Sequence, residues 1–156
     1  MTAPTASTAP AGPPLAFSMP LLVRFGDCDP VGIAYFPRYF DWMHRAMEAW
    51  FDEALGLSYA ALLQTHGLPT VETSCRYAAP CRFGDAVRVE LRLGRLGRSS
   101  LGLRTQIIGE DGVLRATSRT EVVMVDTRPG PGWMRPTPLP DTLRAKMTPY
   151  LDPALA

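Results

Sequence analysis

Between residues 34 and 55 the apolar side chains Phe36, Phe40, Met43, Met47, Trp50, Phe51 and Ala54 recur every three to four positions. That spacing predicts one long amphipathic helix whose stripe is wide enough to face a core. Further along the chain the period falls to two. Val87, Val89, Leu91 and Leu93 alternate with Arg88, Glu90 and Arg92, and Leu101, Leu103, Thr105 and Ile107 repeat the pattern. Such runs predict half-buried strands. Asp111-Gly112, between the 101–109 and 113–126 runs, is a strong hairpin turn. A strand at Pro69–Tyr77, an apolar strand leading to Val23 and a short helical piece at Tyr59–Thr65 complete the elements. One long helix against an antiparallel sheet of about five strands is an α+β layer architecture. Trp42, Ala46 and Ala49 lie off the main helical stripe. A lone chain is therefore expected to leave Trp42 partly exposed until a second copy covers it.

Composition bounds the class without naming it. A chain of 156 residues fits one domain, and folding at that size buries about 68–70% of the unfolded surface, enough for a core. The net charge of +1 gives no support for nucleic acid or an anionic membrane as partner. Fifteen of the sixteen basic residues are arginine, with Lys146 the exception. Arginine suits phosphate oxygens, although a GC-rich genome produces the same bias. Cys28, Cys75 and Cys81 lack metal-ligand spacing, so free thiols in a reducing cytoplasm are expected. Residues 1–18 read as a disordered tail, 19–127 as the domain, and 128–156 as a proline-rich segment ending in a short helix at Asp141–Tyr150. No apolar run is long enough to serve as a signal peptide or to cross a bilayer.

The candidate chemistry sits where the first strand meets the helix. Val23-Arg24-Phe25-Gly26-Asp27-Cys28-Asp29-Pro30-Val31-Gly32-Ile33 passes through an acidic Gly/Pro turn. A helix start carries N–H groups without intrahelical acceptors, backed by the positive end of the macrodipole. Asp29 beside such donors supplies a nucleophile or base together with a stabiliser of developing negative charge, the two requirements of acyl transfer. An Asp before a helix also serves as an N-cap or Asx-turn residue. Of the two acids, Asp27 is the better placed for that structural role. Cys28 has no adjacent histidine to activate it.

The run Phe25 to Ile33, followed by Tyr35-Phe36, Pro37 and Tyr39, closely resembles the signature of 4-hydroxybenzoyl-CoA thioesterases in the hotdog superfamily. The likeness continues more weakly through Val71–Asp85 and Gly97-Arg98-Ser99-Ser100, covering residues 19 to 127. It implies a hotdog fold and a cytoplasmic thioesterase that hydrolyses an aryl-CoA such as hydroxybenzoyl-CoA, or a short or medium acyl-CoA. It implies no cofactor beyond the coenzyme A of the substrate, and a homodimer or homotetramer with sites at the subunit interface. On this resemblance Asp29 is the catalytic carboxylate, the Phe36 backbone N–H is the oxyanion donor, and Tyr35 accompanies them. Gly32, Ile33 and His44 fall to the substrate, and Arg95, Arg98, Ser99 and Ser100 to coenzyme A. Asp29 either attacks the carbonyl to form a mixed anhydride, as the resemblance favours, or activates a water.

Two positions depart from the pattern. Phe36 stands where a tyrosine is common, which leaves a main-chain donor intact. His44 stands where an acidic residue meets the substrate phenol, which weakens the case for 4-hydroxybenzoate itself. A non-catalytic acyl-CoA binder is the alternative function. Asp27-Cys28-Asp29 also resembles the opening of a haloacid dehalogenase-type phosphatase, but the chain has Lys146 alone and no Asp-Asp pair.

Overall fold

The computed structural model describes residues 13–156. The elements are β1 (Phe17–Leu22), α1 (Pro37–Ala49), α2 (Tyr59–Leu62), β2 (His66–Gly67), β3 (Thr70–Tyr77), β4 (Ala86–Leu96), β5 (Ser100–Gly109), β6 (Leu114–Val123), β7 (Val125–Asp126), β8 (Arg135–Pro136) and α3 (Asp141–Met147). Five strands form an antiparallel sheet in the order β1-β4-β5-β6-β3. A second, three-stranded sheet, β2-β7-β8, was not foreseen from the sequence. No helix among the described residues is long and apolar enough to cross a membrane.

α1 begins at Pro37, three residues later than its apolar spacing predicts. Proline at the first helical position has φ pre-set and loses no hydrogen bond, because its missing N–H would lack an acceptor there anyway. Residues 28–34 instead close a small loop through a Cys28–Ala34 bridge, and Ile33 bridges to Arg82. At the far end the helix widens into a π turn over Trp50–Ala54, closed by the Leu55 N–H donating to Trp50 O at 2.9 Å.

The sheet curls around α1 and buries it on two sides. Met47, Trp50, Phe51 and Leu55 pack against Leu91, Leu93 and Leu101 toward the helix C-terminus. Toward the N-terminus a second cluster gathers Val23, Tyr39, Trp42, Ala46, Val89 and Ile107. Trp42 is only 1% exposed, so the expectation that a partner must cover it is wrong. The error lay in treating the sheet as flat: a twisted sheet embraces more of the helix than one stripe. Burying a side chain of this size contributes about 1.5–3 kcal/mol.

Both expected domain boundaries also move. β1 starts at Phe17, inside the segment assigned to the tail, because Phe17, Met19 and Leu21 pack against the core from one face of the strand. Residues 1–12 of that tail lie outside the described residues. At the other end Leu139, Leu143 and Met147 join the core, and Lys146 Nζ donates to Leu55 O at 2.6 Å. The 128–156 segment therefore completes the domain.

The strand directions place the candidate residues. β1 ends opposite the start of β4, with Leu22 paired to Ala86, so Asp29 and the N-terminus of α1 sit at that end of the sheet. The β4–β5 turn that carries Arg98 and Ser99 lies at the other end. β4 has 11 residues, and at about 3.3 Å per residue the two ends are roughly 35 Å apart.

Candidate active site

The turn before α1 is built by main-chain bonds that fix both acids. Asp27 Oδ2 accepts the Arg24 N–H at 2.8 Å, and Asp27 O accepts the Tyr35 N–H at 2.8 Å. Its Oδ1 is 3.5 Å from Arg38 Nε, while Arg38 Nη2 donates to Gly26 O at 2.9 Å. Asp27 thus has the structural role expected of it. Arg38, which sequence reasoning did not single out, ties the first turn of α1 to the loop.

Asp29 anchors a tighter turn two residues on. Its N–H donates to Ile33 O and its O accepts the Gly32 N–H, both at 2.9 Å. Oδ1 accepts the Val31 N–H at 2.9 Å, an Asx turn. Gly32 has φ +83°, a conformation that side chains with Cβ rarely adopt. The second carboxylate oxygen has no hydrogen-bond partner among the described residues. Half-buried, Asp29 lines a cleft of about 550 Å³ with Cys28, Tyr35, Pro37, Arg38 and Asp41.

The helix start offers one free donor. Phe36 is the N-cap in the αR conformation (φ −52°, ψ −33°), and its N–H meets no acceptor among the described residues. Pro37 has none to offer. The Arg38 N–H is taken by Tyr35 O at 2.8 Å and the Tyr39 N–H by Phe36 O at 3.3 Å. Tyr35 cannot share the oxyanion role through its own amide, which is bonded to Asp27; its ring packs edge-on against Phe36 with centroids 5.3 Å apart. Phe36 lines a neighbouring cleft of about 280 Å³ with Ile33, Tyr77 and Pro80. Asp29 and Phe36 thus belong to one junction of loop and helix but line different clefts, with Tyr35 on the Asp29 side.

Two tyrosines brace this junction. Tyr77 Oη donates to Phe36 O at 3.4 Å, and Tyr39 Oη accepts the Cys81 N–H at 3.2 Å. Burial, with Cys75 adding to it, pushes the Tyr77 phenol up to about 12, so it keeps its proton for that bond at neutral pH. Burial likewise pushes Tyr39 far above the usual phenol range and raises the thiols of Cys75 and Cys81.

The remaining predicted residues lie elsewhere in a single chain. His44 Nε2 is 3.1 Å from Glu48 Oε1, and its ring meets Tyr59 edge-on at 6.0 Å. It borders a separate groove of about 320 Å³ between α1 and the sheet, lined by Phe40, Met47, Thr73, Leu103 and Thr120. Arg95 is committed within the chain, donating to Ser100 Oγ at 2.8 Å and to Glu121 Oε2 at 2.6 Å. Arg98 and Ser99 hold the turn through their carbonyls, which accept from Arg144 and Met124. The structure thus keeps Asp29, Gly32, Ile33, Tyr35 and Phe36 in one loop–helix junction, with Asp29 and Tyr35 on one cleft and Ile33 and Phe36 on another, and leaves Arg95, Arg98, Ser99 and Ser100 at the opposite end of the sheet. Arg38 and Tyr77 are what sequence reasoning missed. Tyr77 carries no local signal, for it reaches Phe36 across 41 residues of chain.

Known proteins resemble the chain in sequence and in fold. The thioesterase-like superfamily matches residues 23–147. A 1,4-dihydroxy-2-naphthoyl-CoA hydrolase of Synechococcus elongatus is 35% identical over 80 residues, 49% of this chain and 58% of that protein. A 4-hydroxybenzoyl-CoA thioesterase of a Pseudomonas species is 24% identical over 95 residues, 59% of this chain and 67% of that protein. The chain thus spans little more than half the length of the first of these relatives. The solved structure of a gentisyl-coenzyme A thioesterase superposes with a TM-score of 0.74 at 27% identity, over 83% of this chain and 98% of that one. Because the family match covers residues 23–147, from just after β1 to the end of α3, the chain belongs to the thioesterase-like superfamily and carries its hotdog fold.

Proposed function

We propose that the protein hydrolyses an aryl-CoA, or a short or medium acyl-CoA, to the free acid and coenzyme A. The observation that carries this reading is the pairing, at one loop–helix junction, of a carboxylate oxygen without a partner on Asp29 and an amide without a partner at Phe36. Asp29 attacks the thioester carbonyl, the developing oxyanion accepts the Phe36 N–H, and the coenzyme A thiolate leaves. Water then hydrolyses the mixed anhydride and returns the carboxylate. If Asp29 instead deprotonates a water that attacks directly, no acyl group is retained on the acid-quenched protein during turnover.

The site needs a second copy. One chain holds the catalytic turn and the β4–β5 turn at opposite ends of its sheet. Among the described residues β3 is an outer strand paired only with β6, and it exposes 64% of Val71 and 45% of Tyr77. An exposed, unpaired edge is a template for another strand. Antiparallel pairing of β3 with its twin continues the sheet, and the two-fold rotation turns the partner's Arg98–Ser99 turn toward the end that holds Asp29. Aryl or alkyl groups then have the groove between α1 and the sheet as an apolar pocket, with His44 at its border.

Thiol release from a panel of benzoyl-, hydroxybenzoyl-, short- and medium-chain acyl-CoAs tests the reading. A protein that binds these esters yet releases no thiol above background is an acyl-CoA binder and not a hydrolase.

A further inference from the structure

We propose that the face of the sheet opposite α1 is a binding site for a pyrophosphate-bearing anion. Strand register sets Arg92 opposite Arg104, Arg104 opposite Arg119, and Arg119 opposite Ser74, in one row across four strands. Residues directly opposite share a face, and the alternating partners Leu91, Leu103 and Thr120 point the other way, toward the groove beside α1. Arg76, two residues beyond Ser74 on β3, lies on the same face and joins the row in lining a cavity of about 520 Å³. Cavities that hold small ligands run from about 300 to 1,000 Å³.

The charges in this row are poorly compensated within the chain. Glu121 is divided between Arg95 at 2.6 Å and Arg104 at 3.1 Å, and Glu90 at the rim is paired with Arg88 at 2.8 Å. Arg76, Arg92 and Arg119 form no ion pair among the described residues. Like charges directly opposite on neighbouring strands are destabilising, so the row gains from a bound anion. Arg104 is committed within the chain, its Nε donating to Leu155 O at 2.8 Å and its Nη1 to Leu103 O at 2.9 Å and Glu121 Oε1 at 3.1 Å, so the guanidinium forks open to a ligand are those of Arg76, Arg92 and Arg119.

Strands lie about 4.8 Å apart, so Arg92 and Arg119 are separated by about 10 Å, wider than one phosphate and suited to two linked phosphoryl groups held by guanidinium forks. Ser74, Gln106 and Thr117 add neutral donors to the same cavity. A second copy packed across this face by a two-fold axis would oppose arginine with arginine. Nucleic acid calls for an extended basic footprint, against which stand a net charge of +1 and a basic cavity of only about 520 Å³.

The test is calorimetric titration at low salt of the full chain with inorganic pyrophosphate, phosphate, ADP and free coenzyme A, run in parallel with melting curves. Pyrophosphate is expected to bind once per chain, at least tenfold tighter than phosphate, and to raise the melting temperature. D29N should bind it unchanged. The double variant R92Q/R119Q should melt at or above the wild-type temperature without ligand and lose at least tenfold in affinity. Equal affinity in wild type and double variant overturns the proposal, as does phosphate binding as tightly as pyrophosphate. If the double variant does not fold, R92Q alone is read by the same titration. ADP displacing pyrophosphate better than coenzyme A assigns the site to a free nucleotide, and the reverse assigns it to coenzyme A. Displacement by neither overturns the ligand class.

Discussion

On the proposed function the two oxygens of Asp29 carry separable duties, and two substitutions pull them apart. Oδ1 holds the Val31 amide at 2.9 Å, whereas the other oxygen is free to meet a carbonyl carbon or a water. A solvent-accessible hydrogen bond of this kind contributes about 0.5–1.5 kcal/mol. In a domain of this size each kcal/mol moves the melting temperature by about 2–4 °C. Asp29→Asn keeps an amide oxygen for Val31 and should melt within about 1 °C of wild type, yet lose at least ~10²-fold in turnover, the scale of a missing nucleophile or base. Asp29→Ala removes both oxygens, so it should reach the same catalytic floor and melt about 1–6 °C lower. Magnitude separates the explanations. A hundredfold fall corresponds to about 2.7 kcal/mol in the transition state, more than the turn bond can supply, and it must appear in Asn without any loss of stability. Thermal melts by circular dichroism and thiol release on the same preparations decide it. An Asn variant that keeps more than about a tenth of its turnover moves the chemistry to another residue. An Ala variant that melts with wild type shows that the Val31 bond does not hold the turn.

If each site combines Asp29 of one copy with the β4–β5 turn of the other, Asp29→Asn and Arg98→Glu proteins should each be nearly inactive alone. Refolded together in equal amounts, they should recover about one quarter of wild-type thiol release, because half the dimers are hybrids with one intact site of two. Phe51→Ala removes a side chain with no exposed surface and should cost about 3–5 kcal/mol in urea denaturation. At Glu121 burial acts to raise the carboxyl, but the hydrogen bonds from Arg95 and Arg104 outweigh it and hold the folded value below the usual 4.5. Its stabilisation is therefore complete above that value and is lost as the pH falls through the depressed one. The stability gap between wild type and Glu121→Gln, measured by urea denaturation across the acid range, should shrink on acidification. Cys81 is fully buried and its thiol raised, so in the native protein it should stay unlabelled by a thiol reagent that reaches the half-buried Cys28.

What was legible in the sequence is what local rules control. The periodicity of Phe40, Met43, Met47, Trp50 and Phe51 located α1, and alternation with the Asp111-Gly112 turn located β4, β5 and β6. The candidate turn was readable because Asp27, Asp29, Gly32 and Phe36 lie within ten consecutive residues. What escaped depends on tertiary closure. Two-residue strands such as β2, β7 and β8 carry no periodicity at all. Trp42 was misplaced because helical spacing cannot say how far a sheet curls. Arg95 looked free for phosphate because its partner Glu121 lies 26 residues away, a distance over which sequence offers no pairing rule.

The same distances decide what one chain can do alone. Burial of Trp42 within its own domain removes the helix as a reason for association, and the association proposed above rests on the exposed edge of β3. The C-terminal residue of that edge, Tyr77, donates to Phe36 O, so a second strand laid along β3 would rest beside the bond that braces the proposed oxyanion donor. Association through β3 would then do two things at once, presenting the far turn of the partner and shielding the Tyr77–Phe36 contact from water. A hydrogen bond in such a shielded place is stronger than one in solvent. On this argument a folded monomer would lack more than its coenzyme A contacts: its helix start would also be less firmly held.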